Sequence, residues 1–198
     1  MRLKKVFDIL ISTISIIIFL PIMLFISIFV MIFMPGPILF IQKRVGKGGE
    51  EFRLLKFRTM LVKPKESNDG FDAGDVSRVT SLGSILRKTK LDEIPQLFNV
   101  IKGDMSIVGP RPEVKKWTEV YPEKWKIVLT VKPGITDNAS IHFRNEEEIL
   151  ASASNPEETY KNDILPVKLD YYINYVNNHS FWGDIAIIFK TLKQIIIK

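Results

Sequence analysis

The residues best suited to chemistry are Asp92 and Glu93, two carboxylates adjacent in the chain and flanked by Arg87, Lys88 and Lys90. Neighbouring helical positions point about 100° apart, so the two can take different tasks. One could attack or bind a metal while the other orients or exchanges a proton. Aspartate is a covalent nucleophile in phosphoryl transfer. A carboxylate approaching a diphosphate meets charge repulsion, which magnesium and clustered Arg and Lys offset. Lys56, Arg58, Arg87, Arg111 and Arg144 supply candidate cations. A plain structural reading competes: Asp92 caps a helix and Glu93 pairs with a cation. From the acidic pair alone that reading is the stronger one.

The surrounding elements must bring those cations to the carboxylates. Leu39–Val45 and residues 52–60 read as two strands around Gly46-Lys47-Gly48-Gly49, a hairpin with a Gly-rich turn. The glycines lack the strand–loop–helix order of a phosphate loop. Lys56 and Arg58 alternate with Leu55 and Phe57, so they share one face of the second strand. Residues 81–87 start a helix with an apolar face. After Asp92 and Glu93, Pro95 fits the first turn of another helix and Gly103 its C-terminal cap. The acidic pair then lies at or near a helix N-cap, where free N–H groups attract phosphate. Arg111, between Pro110 and Pro112, sits on a stiff, extended stretch suited to holding a phosphate or carboxylate. Residues 131–136 read as a turn, followed by Arg144 and the acidic run 146–148.

Composition narrows the chemistry further. The 198 residues suit one domain with a short appendage; 46% are hydrophobic and 25% charged, which excludes a disordered polyelectrolyte. The net charge of +6 points to anionic partners such as nucleotides, lipid headgroups or nucleic acid. There is no Cys and there are only two His, so disulfides, thiol nucleophiles and His- or Cys-rich metal sites are excluded. The polar stretch 63–79 reads as a surface loop. Its Asp69, Asp72 and Asp75 miss the spacing of a calcium loop.

No charged residue lies between Asp8 and Lys43. The most apolar part, residues 9–34, would be about 39 Å long as a helix and has the character of a membrane segment. It is too long for a signal-peptide core. Pro21 near its middle removes a backbone hydrogen bond and favours a kink. Two paths follow: a kinked span, or a helix that bends at Pro21 and leaves by the face it entered. Arg2, Lys4 and Lys5 before the run and Lys43, Arg44 and Lys47 after it make both flanks basic, a symmetry that leans towards re-entry. The last helix, from Trp182, places Ile185, Ile188, Phe189, Leu192 and Ile196 on a stripe largely clear of Lys190, Lys193 and Lys198. It fits a membrane-surface helix, with a core helix as the alternative.

The wider pattern resembles a known family. Lys56-Phe57-Arg58-Thr59-Met60, Leu91-Asp92-Glu93 with Pro95-Gln96-Leu97-Phe98-Asn99-Val100, and Lys102-Gly103-Asp104-Met105-Ser106 with Val108-Gly109-Pro110-Arg111-Pro112 occur in this order. Lys132-Pro133-Gly134-Ile135-Thr136 and Asp170-Tyr171-Tyr172 follow. Together they resemble the bacterial sugar transferases, the monotopic polyprenol-phosphate phosphoglycosyl transferases, across nearly the whole chain. The chain looks like a small member without an extra multi-span N-terminal region. The resemblance implies an α+β, mostly helical fold: a re-entrant membrane helix broken at Pro21 (residues 1–37), then a catalytic domain at the cytoplasmic face of the bacterial inner membrane (38–198), with a small β-hairpin and amphipathic helices at the interface.

For activity, the resemblance implies that Asp92 attacks the sugar-bearing phosphate of a UDP-sugar and releases UMP. The phosphosugar then passes to undecaprenyl phosphate, which starts a surface glycan. Glu93 completes the catalytic pair, and Lys56, Arg58, Arg87, Arg111 and Arg144 bind substrate. Magnesium is the implied cofactor, with Asp92 a ligand. Two departures stand out: Leu20 precedes the kink proline where many members have Ser, and Asp137-Asn138-Ala139-Ser140 replaces a common Gly-Trp-Ala-Gln in a segment expected near nucleotide or sugar. A degenerate membrane-anchored scaffold is the competing class, opposed by the intact Asp92, Glu93 and Arg111. No nucleic-acid module is present. The sequence leaves open the sugar and whether the chain forms a homo-oligomer.

Overall fold

A computed structural model describes residues 2–62 and 78–196, without the side chains of Arg2 and Ile196. The acidic stretch with Asp69, Asp72 and Asp75 therefore lies outside the described residues. The chain begins with α1 (Arg2–Phe33), a 32-residue helix about 48 Å long. It stays helical through Pro21. Pro21 is thus a proline inside one helix, not a linker between two.

The expected hairpin forms, with its second strand ending at Phe57 and not at residue 60. Strand β1 (Leu39–Val45) pairs antiparallel with β2 (Glu51–Phe57), placing Leu39 opposite Phe57 and Val45 opposite Glu51. Next come α2 (Ser81–Thr89), α3 (Gln96–Lys102), β3 (Ser106–Val108), α4 (Lys115–Thr118), α5 (Pro122–Val128), β4 (Gly134–Thr136), α6 (Asn138–His142), α7 (Glu146–Ser152), α8 (Pro156–Thr159), α9 (Leu165–Asn178) and α10 (Phe181–Ile196). Residues 131–136, read as a turn, end in β4, which pairs in parallel with β3. Three-residue strands carry too little alternation to be legible alone. The pairing rests on a close backbone approach: a Cβ on Gly134 would overlap the backbone of Gly109.

Three apolar clusters hold these elements. Trp117, Trp125, Leu150, Leu165, Leu169 and Tyr172 join α4, α5, α7 and α9. Leu54, Val100, Met105, Val108, Tyr175 and Ile187 join the hairpin, α3, β3, α9 and α10. Met23, Ile26, Val30 and Met34 carry the second half of α1 onto Phe57 and Leu86.

The first half of α1 meets the same body through polar contacts. Lys4 Nζ donates to Asp184 Oδ2 on α10 at 2.6 Å and to the Val108 carbonyl at 3.1 Å. Ser106 Oγ donates to Asp8 at 2.7 Å. Both halves of α1 therefore dock on one domain, yet Ile14, Ile17, Ile18, Leu24, Phe25 and Met31 remain exposed. On α10, Asp184 and Ile187 face inward, whereas Trp182, Phe189 and Leu192 are exposed.

Candidate active site

The acidic pair sits just outside α3. Lys90 closes α2 in the left-handed region, at φ 58°, and Leu91–Glu93 then form a single 3-10 turn. The expectation of a helix N-cap shifts accordingly: Pro95 occupies that position, and α3 runs from Gln96 to a left-handed Gly103. The turn is anchored to the hairpin by Asn99 of α3. Its amide donates to the Arg53 carbonyl at 2.8 Å and its oxygen accepts from Leu55 N–H at 3.1 Å. The next residue on β2 is Lys56, so this clamp brings the ammonium to the carboxylates.

Four of the expected residues form one centre: Asp92, Glu93, Lys56 and Arg111. Lys56 Nζ donates to Glu93 Oε1 at 2.9 Å. Arg111 forks onto Glu93, Nη2 to Oε1 at 2.5 Å and Nη1 to Oε2 at 3.4 Å. Such a forked, charge-assisted pair is strong and fixes orientation. Burial pushes the Glu93 carboxyl up, but Arg111 and Lys56 together hold it well below the usual carboxylate range. Glu93 is thus an ionised anchor and not a proton exchanger near neutral pH.

Asp92 has the opposite character. It is buried at 6% exposure, and its Oδ1 has no hydrogen-bond partner among the described residues. Burial first, and then the charge of Glu93, raise its pKa to about 6, against the opposing pull of Lys56, Lys90 and Arg111. A buried carboxylate oxygen without a partner is costly, and native structures keep few of them.

The loop bearing Arg111 follows β3 and has neither helix nor strand, as expected of Pro110-Arg111-Pro112. It is held from both sides. Val45 N–H donates to the Glu113 carbonyl at 2.8 Å. Arg44 Nη1 donates to the Glu113 carboxylate at 3.1 Å and to the Pro112 carbonyl at 3.3 Å.

The other expected cations go elsewhere. Arg58 is buried, and its guanidinium donates to the Met34 carbonyl and, at 2.8 Å, to the Pro35 carbonyl. It caps the end of α1, where unpaired carbonyls and the helix dipole favour a cation. The expected strand 52–60 ends at Phe57, so Arg58 lies past β2 and does not share a strand face with Lys56; nor was the α1 terminus that receives it legible. Arg87 Nε donates to Thr59 Oγ1 at 2.9 Å, and its Nη1 meets Glu147 at 3.2 Å. Arg144 is exposed in the turn between α6 and α7. Within 137–140, Asp137 is a buried cap for α6: its carboxylate accepts from Ala139 N–H at 2.6 Å, Ser140 N–H at 3.0 Å and Ser140 Oγ at 2.6 Å. Sequence reasoning missed Arg44, Asn99, Glu113, Tyr160 and Lys168; a polar residue within an otherwise apolar helical run, as at Asn99, was the one available signal.

The chain belongs to the bacterial sugar transferase family, whose model matches residues 1–198. It is 34% identical over 197 residues to the UDP-N-acetylgalactosamine-undecaprenyl-phosphate N-acetylgalactosaminephosphotransferase of Aeromonas hydrophila, covering 98% of this chain and 44% of that protein. It is 34% identical over 194 residues to the UDP-glucose:undecaprenyl-phosphate glucose-1-phosphate transferase of Escherichia coli (strain K12), covering 96% and 39%. It is 32% identical over 207 residues to the exopolysaccharide production protein ExoY of Rhizobium meliloti (strain 1021), covering 97% and 84%. The chain thus spans less than half the length of two of these three relatives.

Proposed function

We propose that this protein transfers a sugar phosphate from a UDP-sugar to undecaprenyl phosphate through a covalent aspartyl intermediate. The observation that carries the reading is the unpaired, buried oxygen of Asp92 beside Lys56 and Arg111, whose two positive charges Glu93 offsets only by half. An Asp92 oxygen attacks the sugar-bearing phosphorus. The bond from that phosphorus to the bridging oxygen breaks, and UMP leaves with the electron pair. The phosphosugar is then an acyl phosphate on Asp92. An oxygen of undecaprenyl phosphate attacks the same phosphorus, the acyl-phosphate bond breaks, and the Asp92 carboxylate is regenerated. Atoms balance as UDP-sugar plus undecaprenyl phosphate giving undecaprenyl-diphosphate-sugar plus UMP. Lys56 and Arg111, oriented by Glu93, balance charge on the transferred phosphoryl group.

Among the described residues no three acidic or His side chains form a ready-made metal cage. Magnesium accepts one or two carboxylates together with substrate phosphates, so the free oxygen of Asp92 fits as its protein ligand. When bound it would neutralise diphosphate charge.

The membrane reading rests on α1. Leu3–Phe33 is long and apolar enough to cross a bilayer by length and composition. Lys4 near its start and Met34 just past its end both bind the same domain, which supports a re-entrant path bent near Pro21, with both ends on the cytoplasmic side of the inner membrane. Lipid tails are as apolar as the protein core, so polar ties such as Lys4–Asp184 specify the docking better than apolar contacts do. The exposed Trp182, Phe189 and Leu192 of α10 suit the interface. The product would initiate a surface glycan.

Purified protein incubated with magnesium, undecaprenyl phosphate and a panel of UDP-sugars tests this. Release of UMP with formation of a lipid-linked sugar supports the reading. No release from any donor favours the non-catalytic scaffold.

A further inference from the structure

A buried cation outside the centre connects the Arg111 loop to the turn that bears Arg144. Lys168 of α9 is 2% exposed. Its ammonium donates to Glu146 at 3.0 and 3.3 Å and to Tyr160 Oη at 3.3 Å, and lies 3.7 Å from Glu113 Oε1. Tyr160 Oη in turn donates to Glu113 Oε1 at 2.5 Å. A buried ammonium is stable only with such partners, and the carboxylates need it equally.

The two carboxylates have a common placement. Glu113 follows Arg111 by two residues, and Glu146 follows Arg144 by two. Each lies in the same short segment as its arginine, and a backbone hydrogen bond pins that segment. The Glu113 carbonyl accepts from Val45 N–H, while Glu146 N–H donates to the Phe143 carbonyl at 3.1 Å and closes the turn containing Arg144. Holding both carboxylates on one ammonium therefore fixes one arginine-bearing segment against the other.

We propose that Lys168 is a positioning residue that sets the Arg144 turn relative to the Arg111 loop, so that both guanidinium groups can address one diphosphate. This rests on the UDP-sugar reading above. Removing the ammonium leaves Glu113 and Glu146 to repel each other, and the less buried partner, Glu146, carries its turn away.

The test uses the full chain in nanodiscs as Lys168→Met, Glu146→Gln, Lys168→Arg and the Lys168→Met/Glu146→Gln double variant. Hydrogen exchange is read at the amides of Glu146, Glu148 and Ile149, and steady-state kinetics with whichever of UDP-glucose, UDP-galactose and UDP-N-acetylgalactosamine the wild type uses best. In Lys168→Met and Glu146→Gln, exchange at these amides should quicken at least about tenfold, with α10 unchanged, and KM should rise about tenfold with kcat changed less than about threefold. Lys168→Arg should recover part of the loss, and the double variant should be no worse than either single one. Unchanged exchange or unchanged KM overturns the proposal, as do effects that multiply in the double variant. Should Lys168→Met fail to fold, Glu146→Gln decides alone, because its side chain is at the rim of the core. If the wild type uses no donor, the functional reading fails, and exchange still decides whether Lys168 holds the turn.

Discussion

Glu93 and Asp92 are chain neighbours with opposite electrostatic fates. Glu93 accepts from both Lys56 and Arg111, whereas Asp92 keeps one buried oxygen unpaired. The 3-10 turn explains the split, since successive side chains on it diverge by about 120°. One carboxylate fixes the cations and the other keeps an oxygen without a hydrogen bond.

In the proposed reaction Asp92 must be ionised to attack, and its pKa is raised to about 6. The rate constant kcat/KM should therefore fall as pH drops through about 6, a limb read directly from a pH–rate profile. A flat profile between pH 5 and 8 would reject the assignment.

The same shift has a stability consequence. The folded-state pKa of Asp92 lies above its unfolded value, so its contribution to stability is present at low pH and lost as pH rises from about 4 through 6. Asp92→Asn removes the buried charge and should stabilise the fold by about 1–3 kcal/mol at pH 8, and by about half as much at pH 5. Thermal unfolding at the two pH values measures this, and turnover should be abolished in the same variant.

Arg111 and Arg58 should separate. Arg111→Lys loses the fork onto Glu93, and kcat/KM should fall about 10- to 100-fold with a small change in melting temperature. Arg58→Ala leaves two carbonyls at the end of α1 unpaired and should cost about 2–4 kcal/mol of stability, seen in chemical or thermal unfolding. An Arg58 variant with full stability and a raised KM would return it to the substrate site.

The Lys4–Asp184 pair should hold the start of α1. Lys4→Met leaves Asp184 with Tyr175 but without its cation. Exchange of amides in the first turns of α1 should then rise, with little change in those around Asn99. Equal exchange in both proteins would deny the pair that role.

What the sequence made legible follows from the range of the signals. The hairpin was readable because alternation and glycine punctuation are local, and β1 ends where expected. The acidic pair and Arg111 were readable as chemistry from residue type and flanking prolines. The contact Arg58 makes with the end of α1 was not legible because its partners, Met34 and Pro35, lie over twenty residues away and offer backbone carbonyls, which no side-chain pattern records. Lys168 escaped for a related reason: in sequence it resembles a solvated helix lysine, and only the fold brings Glu113, Glu146 and Tyr160 around it.

The most direct measurement is the intact mass, then the peptide mass, of the protein incubated with its UDP-sugar and magnesium in the absence of undecaprenyl phosphate. A gain equal to one phosphosugar, located on the peptide containing Asp92 and discharged when undecaprenyl phosphate is added, is expected. Lipid-linked product made at full rate with no adduct at Asp92, or by Asp92→Asn, would show that the sugar phosphate never rests on this aspartate.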